Sequence, residues 1–376
     1  MTNRHRIASL DIVRGAVMVL MALDHVRVFA GVPAGGPTAA LFFTRWVTHF
    51  CAPVFIFLAG TAAFLYGRKV QSRPALAKFL AIRGIWLVVL ELTVLRFGWT
   101  FNFDYANFTF AGVIWVIGWS MIVLAVLVFL PTALVTALGV AVIALHNAFA
   151  PMVGEAPSWL MRILYAGWSF PAGGANVVVL YTLIPWAAVM ATGYGFGAVM
   201  EKPPAARRRI CLTLGLGCIA LFVVLRATGV YGDPRPWARD AGVLQFLATA
   251  KYPASLQFLL MTLGPMFVVL PLLENARGRV ARWLEVFGKV PFFYYVLHIP
   301  LIHVVAVLIS LVRTPESTGW LTGNHPMLPA DVPPGYQWSL PLLYLVTALV
   351  VTALYFLCRW YARVKAERPR GWMRFV

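Results

Sequence analysis

Apolar residues are gathered into ten long runs, near residues 8–30, 42–66, 79–99, 108–128, 131–148, 175–199, 210–228, 254–273, 288–312 and 338–360. A helix needs about 20 residues to cross a hydrocarbon core of roughly 30 Å, and each run is close to that length. Backbone amides and carbonyls in lipid must be satisfied within the segment, and the period-two alternation of barrel strands is absent, so the runs predict helices. The fourth and fifth runs are separated only by Leu130–Pro131. The expected fold class is all-α: a polytopic membrane helical bundle of about ten transmembrane helices, with residues 1–376 forming a single transmembrane domain.

The polar segments between the runs alternate in charge. One set carries Arg4 and Arg6; Arg68, Lys69, Arg73, Lys78 and Arg83; Lys202 and Arg207–Arg209; Arg277, Arg279, Arg282 and Lys289; and Arg359, Arg363, Lys365, Arg368, Arg370 and Arg374. Together these hold 21 of the 31 Lys and Arg residues. The intervening loops (31–41, 100–107, 149–174, 229–253 and 313–337) are rich in Gly, Pro, Asn and Trp. The positive-inside rule turns those loops outward and places the N- and C-termini on the cytoplasmic side.

Composition agrees. The chain is 61% hydrophobic and only 12% charged, against about a quarter charged in soluble domains. Its 14 Trp, 13 Tyr and 26 Phe suit aromatic belts at two interfaces. The net charge of +18 sits between apolar runs as a topology signal, so no nucleic-acid partner is expected. The bilayer is the expected partner, and self-association into a homo-oligomer stays open. Cys51, Cys211, Cys218 and Cys358 fall in or beside apolar runs without a CxxC pair, which reads as core cysteines, with no disulfide and no metal site. The basic start and first run resemble a signal peptide, but Asp11, Arg14, Asp24 and His25 interrupt the run, so it is read as a retained helix.

Ionisable groups inside spans are functional candidates. The first run, SLDIVRGAVMVLMALDHVRVF, is the richest. Arg14 and His25 are eleven residues apart, about three helical turns, so they project from one face at a separation of roughly 16 Å. Asp11, three residues before Arg14, is placed to pair with it. Asp24 lies beside His25 in sequence but about 100° round the helix. In the second run, RWVTHFCAPVFIFLAG, His49 sits at a depth like that of His25. Glu91 in the third run is a membrane carboxylate, to be paired with Arg96 or with a polar group on a neighbouring helix. Lys251 opens KYPASLQFLLMTLG, and GKVPFFYYVLHIPLIH places His298 mid-span with His303 further along. His49, Glu91 or His298 are the candidates to orient His25. The five-residue spacing of His298 and His303 does not suit a two-histidine metal site.

These residues resemble a known pattern. S-L-D-x-x-R-G, with Arg14, ten residues and then His25, is similar to the first helix of the acyltransferase-3 family of membrane O-acyltransferases. A fuller likeness is to the family around the heparan-α-glucosaminide N-acetyltransferase catalytic domain and its bacterial relatives. It includes SLDIVRG with ALDH, THFCAPVFIFLAG, KYPASLQFLLMTLGP and FGKVPFFYYVLHIPLIH, in that order. The resemblance implies transfer of an acyl group, usually acetyl, from cytoplasmic acetyl-CoA or another acyl-CoA to a glycan or amino-sugar acceptor across the membrane. It implies His25 at the chemistry and Arg14 toward the coenzyme. It also implies a multi-pass protein of the bacterial plasma (inner) membrane. In the animal lysosomal member, the position matching His25 carries Asn, and the proposed catalytic histidine matches the Gly35–Gly36 loop here. At that point this chain follows the acyltransferase-3 arrangement.

The leading expectation is therefore an acyl-CoA-dependent membrane acyltransferase (N- or O-acetyltransferase) without a metal. His25, Asp24 and His49 are its catalytic candidates, Arg14 and Asp11 bind the coenzyme, and Lys251, His298 and Glu91 are weaker substrate-binding candidates. The alternative is a multi-pass transporter or flippase with an intramembrane His/Asp/Arg relay; the internal repeats usual in transporters are not evident.

Overall fold

The computed structural model describes residues 7–36, 38–324 and 332–367; Arg4, Arg6, Arg368, Arg370 and Arg374 of the expected cytoplasmic termini lie outside them. The principal helices in chain order are α1 (Ala8–Phe29), α2 (Ala39–Trp46), α3 (Cys51–Val70), α4 (Arg73–Leu90), α5 (Arg96–Thr100), α6 (Val113–Leu127), α7 (Thr132–Leu145), α8 (Leu183–Met200), α9 (Pro204–Thr228), α10 (Leu256–Leu272), α11 (Arg279–Lys289), α12 (Pro291–Arg313) and α13 (Leu340–Glu367). The chain is an all-α polytopic membrane protein. Among the described residues, six helices are long and apolar enough to cross a membrane: Ala39–Val70, Thr132–Val153, Leu183–Met200, Pro204–Thr228, Pro291–Arg313 and Leu340–Glu367. α1 has the length, with 22 residues, but carries Asp11, Arg14, Asp24 and Arg27; α6 and α10 are apolar but shorter.

Proline and polar side chains shape the helices locally. Ala39–Val70 tightens to a 3-10 turn over Val47–Phe50. Pro53 has no amide to return to the carbonyl four residues back, which falls in that turn. α4 continues into a π-helical turn, Glu91–Leu95, before α5. Pro291 starts α12 directly after α11, where the residue before a proline is driven out of the helical region.

Three expectations are corrected. The segment 108–128 begins as a strand, and α6 starts only at Val113. The segment 175–199 begins as a strand, not a helix: β1 (Thr109–Ala111), β2 (Trp168–Ala172) and β3 (Ala175–Val179) form a small sheet ordered β1-β3-β2, and α8 starts only at Leu183. β2 and β3 pair antiparallel from Trp168↔Val179 to Ala172↔Ala175. Gly173 (φ +57) and Gly174 (φ +83) supply the left-handed turn such a two-residue hairpin requires. The basic segment around 277–289 reads as a connection in the sequence. It forms the amphipathic helix α11, with Trp283, Leu284 and Phe287 at helical spacing and Phe287 and Gly288 buried.

The chain divides into two units. One comprises Met1–Cys51, Leu95–Asp104 and Leu272–Val376, the other Ala52–Val94 and Tyr105–Pro271. In the first, α1 packs along α11, α12 and α13. Its contact with α11 is close enough that a Cβ on Gly15 would fall on the Leu284 carbonyl, and one on Gly288 on the Asp11 carbonyl. No larger residue fits either position at that separation. In the second unit, α4 packs on α6, and α8 lies against both α6 and α7.

Candidate active site

Nearly every candidate on α1 finds its partner inside the first unit. Arg14 donates to Asp11 Oδ1 at 3.2 Å and to the Gly288 carbonyl at 3.2 Å. Eleven residues on, His25 meets His298 of α12, Nδ1 to Nε2 at 2.7 Å. Both members of the Arg14–His25 stripe therefore face the segment running from the end of α11 into α12. Of the three groups expected to orient His25, His298 makes this hydrogen bond.

The contact fixes proton positions. His298 Nδ1 lies 2.6 Å from the Tyr295 carbonyl and 3.2 Å from that of Tyr294. A carbonyl only accepts, so that nitrogen carries the proton. With both rings neutral, His298 Nε2 is then an acceptor, and His25 Nδ1 donates to it. The unprotonated nitrogen of His25 is Nε2. One imidazole thus sets the tautomer of the other, and a backbone carbonyl anchors the pair.

Aromatic side chains surround the two histidines. The Trp99 ring meets His25 edge-on at 4.7 Å, and Phe29 stacks on Trp99 at 5.4 Å. His303 packs against Phe29 at 4.7 Å and against Phe101 at 3.7 Å, and its Nδ1 donates to the Gly98 carbonyl at 3.0 Å. Tyr294, one turn before His298, has its ring 5.4 Å away. His298, His303 and Tyr294 are fully buried, and His25 is 7% exposed. The Tyr294 hydroxyl has no hydrogen-bond partner among the described residues.

Asp24 does not join this pair. Its carboxylate accepts from Arg27 Nε at 3.0 Å and from Arg45 Nη1 at 2.6 Å. Arg45 also donates to Thr48 Oγ1 at 2.9 Å, and Arg27 to the Val32 carbonyl at 2.7 Å. The trio is buried, and it ties the end of α1 to α2. His49 is half-buried in the 3-10 turn. Arg96 donates to the Asn102 backbone carbonyl and side chain, to the Asp104 carbonyl and to Asn324 Oδ1, and so braces the 101–104 loop beside Phe101.

Two candidates belong to the second unit. Glu91 Oε2 accepts from the amides of Ile114 at 2.8 Å and Trp115 at 3.2 Å, capping the positive N-terminal end of α6. Lys251 lies against Tyr181 and Tyr252. Among the described residues, no group of three or more His, Cys, Asp or Glu side chains is placed to hold a metal.

The residues that sequence reading passed over are Trp99, Tyr294, Arg27 and Arg45. Arg27 had a legible signal, its three-residue spacing from Asp24. Tyr294 had one too, standing one helical turn before His298; Trp99 and Arg45 come to the site from separate segments, and no local spacing announces them.

No curated protein matches the chain. The family model described as "Heparan-alpha-glucosaminide N-acetyltransferase, catalytic" matches residues 6–225, more than half the chain and all of α1, while α12 with His298 lies beyond the match; the chain belongs to that family, a membrane protein of an acetyltransferase lineage.

Proposed function

We propose that the chain transfers an acetyl or other short acyl group from cytoplasmic acyl-CoA to a sugar or amino sugar across the membrane. The observation that carries this reading is the hydrogen-bonded series from His25 through His298 to the Tyr295 carbonyl, with His25 on a helix matched to an acetyltransferase family. It holds His25 with Nε2 ready to accept a proton, as a general base needs.

In the proposed step, His25 Nε2 takes the proton of the acceptor hydroxyl or amine as that group attacks the thioester carbonyl. A C–O or C–N bond forms, and a tetrahedral oxyanion develops. The C–S bond then breaks, its electron pair leaves with the coenzyme thiolate, and the imidazolium returns the proton to that sulfur. His25 is positively charged in the middle of this sequence. Its Nδ1–H still donates to His298, whose own proton is held by the Tyr295 carbonyl. The buried Tyr294 hydroxyl is assigned to the oxyanion, where a preorganised donor lowers the barrier most.

Arg14 serves the donor end. Asp11 and the Gly288 carbonyl hold its guanidinium roughly three turns of α1 from His25, a span suited to an extended pantetheine arm. With both termini cytoplasmic in a bacterial inner membrane, that end faces the coenzyme phosphates. Asp24 positions α1 through Arg27 and Arg45 and takes no part in proton transfer.

The reading is tested with radiolabelled acetyl-CoA and the purified full-length protein in detergent. Wild type should bind and consume it, and His25→Ala should keep the fold and lose turnover. Undiminished turnover in His25→Ala defeats the mechanism.

A further inference from the structure

Lys251 is a largely buried residue whose ammonium has no counter-charge among the described residues. It is 6% exposed, and its Nζ lies 5.6 Å from the ring centre of Tyr181 and 5.2 Å from that of Tyr252. Among the described residues, no carboxylate forms an ion pair with this ammonium and no acceptor hydrogen-bonds to it. Aromatic faces attract a cation, but they replace only a small part of the hydration an ammonium loses on burial.

The surroundings are held firmly. Asp233 Oδ2 accepts from the Ala250 amide and from Ser255 Oγ, both at 2.7 Å, and its Oδ1 accepts from the Arg235 amide at 2.9 Å. This acid is therefore engaged in shaping the turn that carries Lys251. Arg226 fastens the preceding loop by donating to the carbonyls of Arg235, Gln245, Phe246 and Ala248 at 2.6–3.1 Å. A second polar group lies next to Tyr181: the Thr182 hydroxyl is buried and has no hydrogen-bond partner among the described residues. It does not cap the helix that follows it. Lys251, over the Tyr181 ring, and Thr182, next to Tyr181 in sequence, thus each hold unused hydrogen-bonding capacity on a braced scaffold.

We propose that Lys251, walled by Tyr181 and Tyr252, binds one oxyanion group, a carboxylate or a phosphate, of a small soluble molecule. An ammonium is a compact point charge with three donors and lacks the planar fork that selects a particular anion geometry. Charge is therefore what the site recognises. The site stands or falls independently of acetyl transfer by His25.

The test is thermal unfolding of the full-length protein in detergent at constant ionic strength, with glucuronate, glucose 6-phosphate or neutral glucose added. Wild type should gain a few degrees with at least one of the two anions and nothing with glucose; the anion that acts identifies the class. Lys251→Arg should keep part of the gain. Lys251→Met should lose it, while unfolding without ligand at least as high as wild type, because an apolar side chain of similar length replaces an uncompensated charge. Four results overturn the proposal. Wild type responds to neither anion; Lys251→Met keeps the response; Lys251→Met misfolds or unfolds clearly earlier, making the lysine structural; or protection comes only from anionic lipid in nanodiscs.

Discussion

Replacing His298 isolates the contribution of the histidine pair from that of the base itself. His298→Leu removes the acceptor for His25 Nδ1 at 2.7 Å and keeps an apolar side chain in a fully buried place. The hydrogen bond matters most when His25 becomes an imidazolium, and a bond to a charged group is worth about 1.5–3 kcal/mol. At about 1.4 kcal/mol per factor of ten, kcat should fall by about 10- to 150-fold. His298 touches the base and not the donor, so the KM for acetyl-CoA should hold. His298→Gln offers a carboxamide oxygen to His25 and an N–H to the Tyr295 carbonyl, and its loss should stay below about tenfold by the same arithmetic. The assay is steady-state turnover of acetyl-CoA, with gel filtration and thermal unfolding to verify the fold. A folded Leu variant with wild-type kcat, or a Gln variant no better than Leu, would show that His298 does not support His25.

Two further outcomes separate structural from chemical roles. Asp24→Asn removes the charge that accepts from the buried Arg27 and Arg45 and should destabilise the protein by about 3–5 kcal/mol, read as an earlier thermal transition; full stability with lost turnover would make Asp24 a participant in the chemistry instead. Tyr294→Phe removes a hydroxyl with no hydrogen-bond partner among the described residues, so stability should hold while kcat falls by about 10²-fold, the usual effect of deleting one oxyanion donor. An unchanged kcat removes Tyr294 from the mechanism.

What the sequence made legible follows physical range. α1 was readable because its signals are local: Asp11 and Arg14 are spaced to pair, and they do at 3.2 Å. His25 and His298 were each conspicuous as histidines in apolar runs. Their pairing was not legible, because 273 residues separate them and no periodicity encodes a tertiary contact of that kind. Asp24 drew attention as a neighbour of His25, but its direction round the helix decides its partners, and Arg45 comes from another element. The β2–β3 hairpin had a local signal in Gly173-Gly174, which the apolar length of 175–199 overrode. α11 was hidden by its charge, since Arg279, Arg282 and Lys289 mask the spacing of Trp283, Leu284 and Phe287. The closeness of α1 to α11 is a packing fact, evident only when Gly15 and Gly288 meet the opposite backbone.

In the proposed reaction, His25, held by His298, is the base of acyl transfer. The most direct test of this role is turnover of radiolabelled acetyl-CoA by purified wild type beside His25→Ala. Wild type should bind and consume the thioester, and the folded variant should bind it but not turn it over. Wild type that neither binds nor consumes any short acyl-CoA, or a variant that turns it over as fast as wild type, would contradict it.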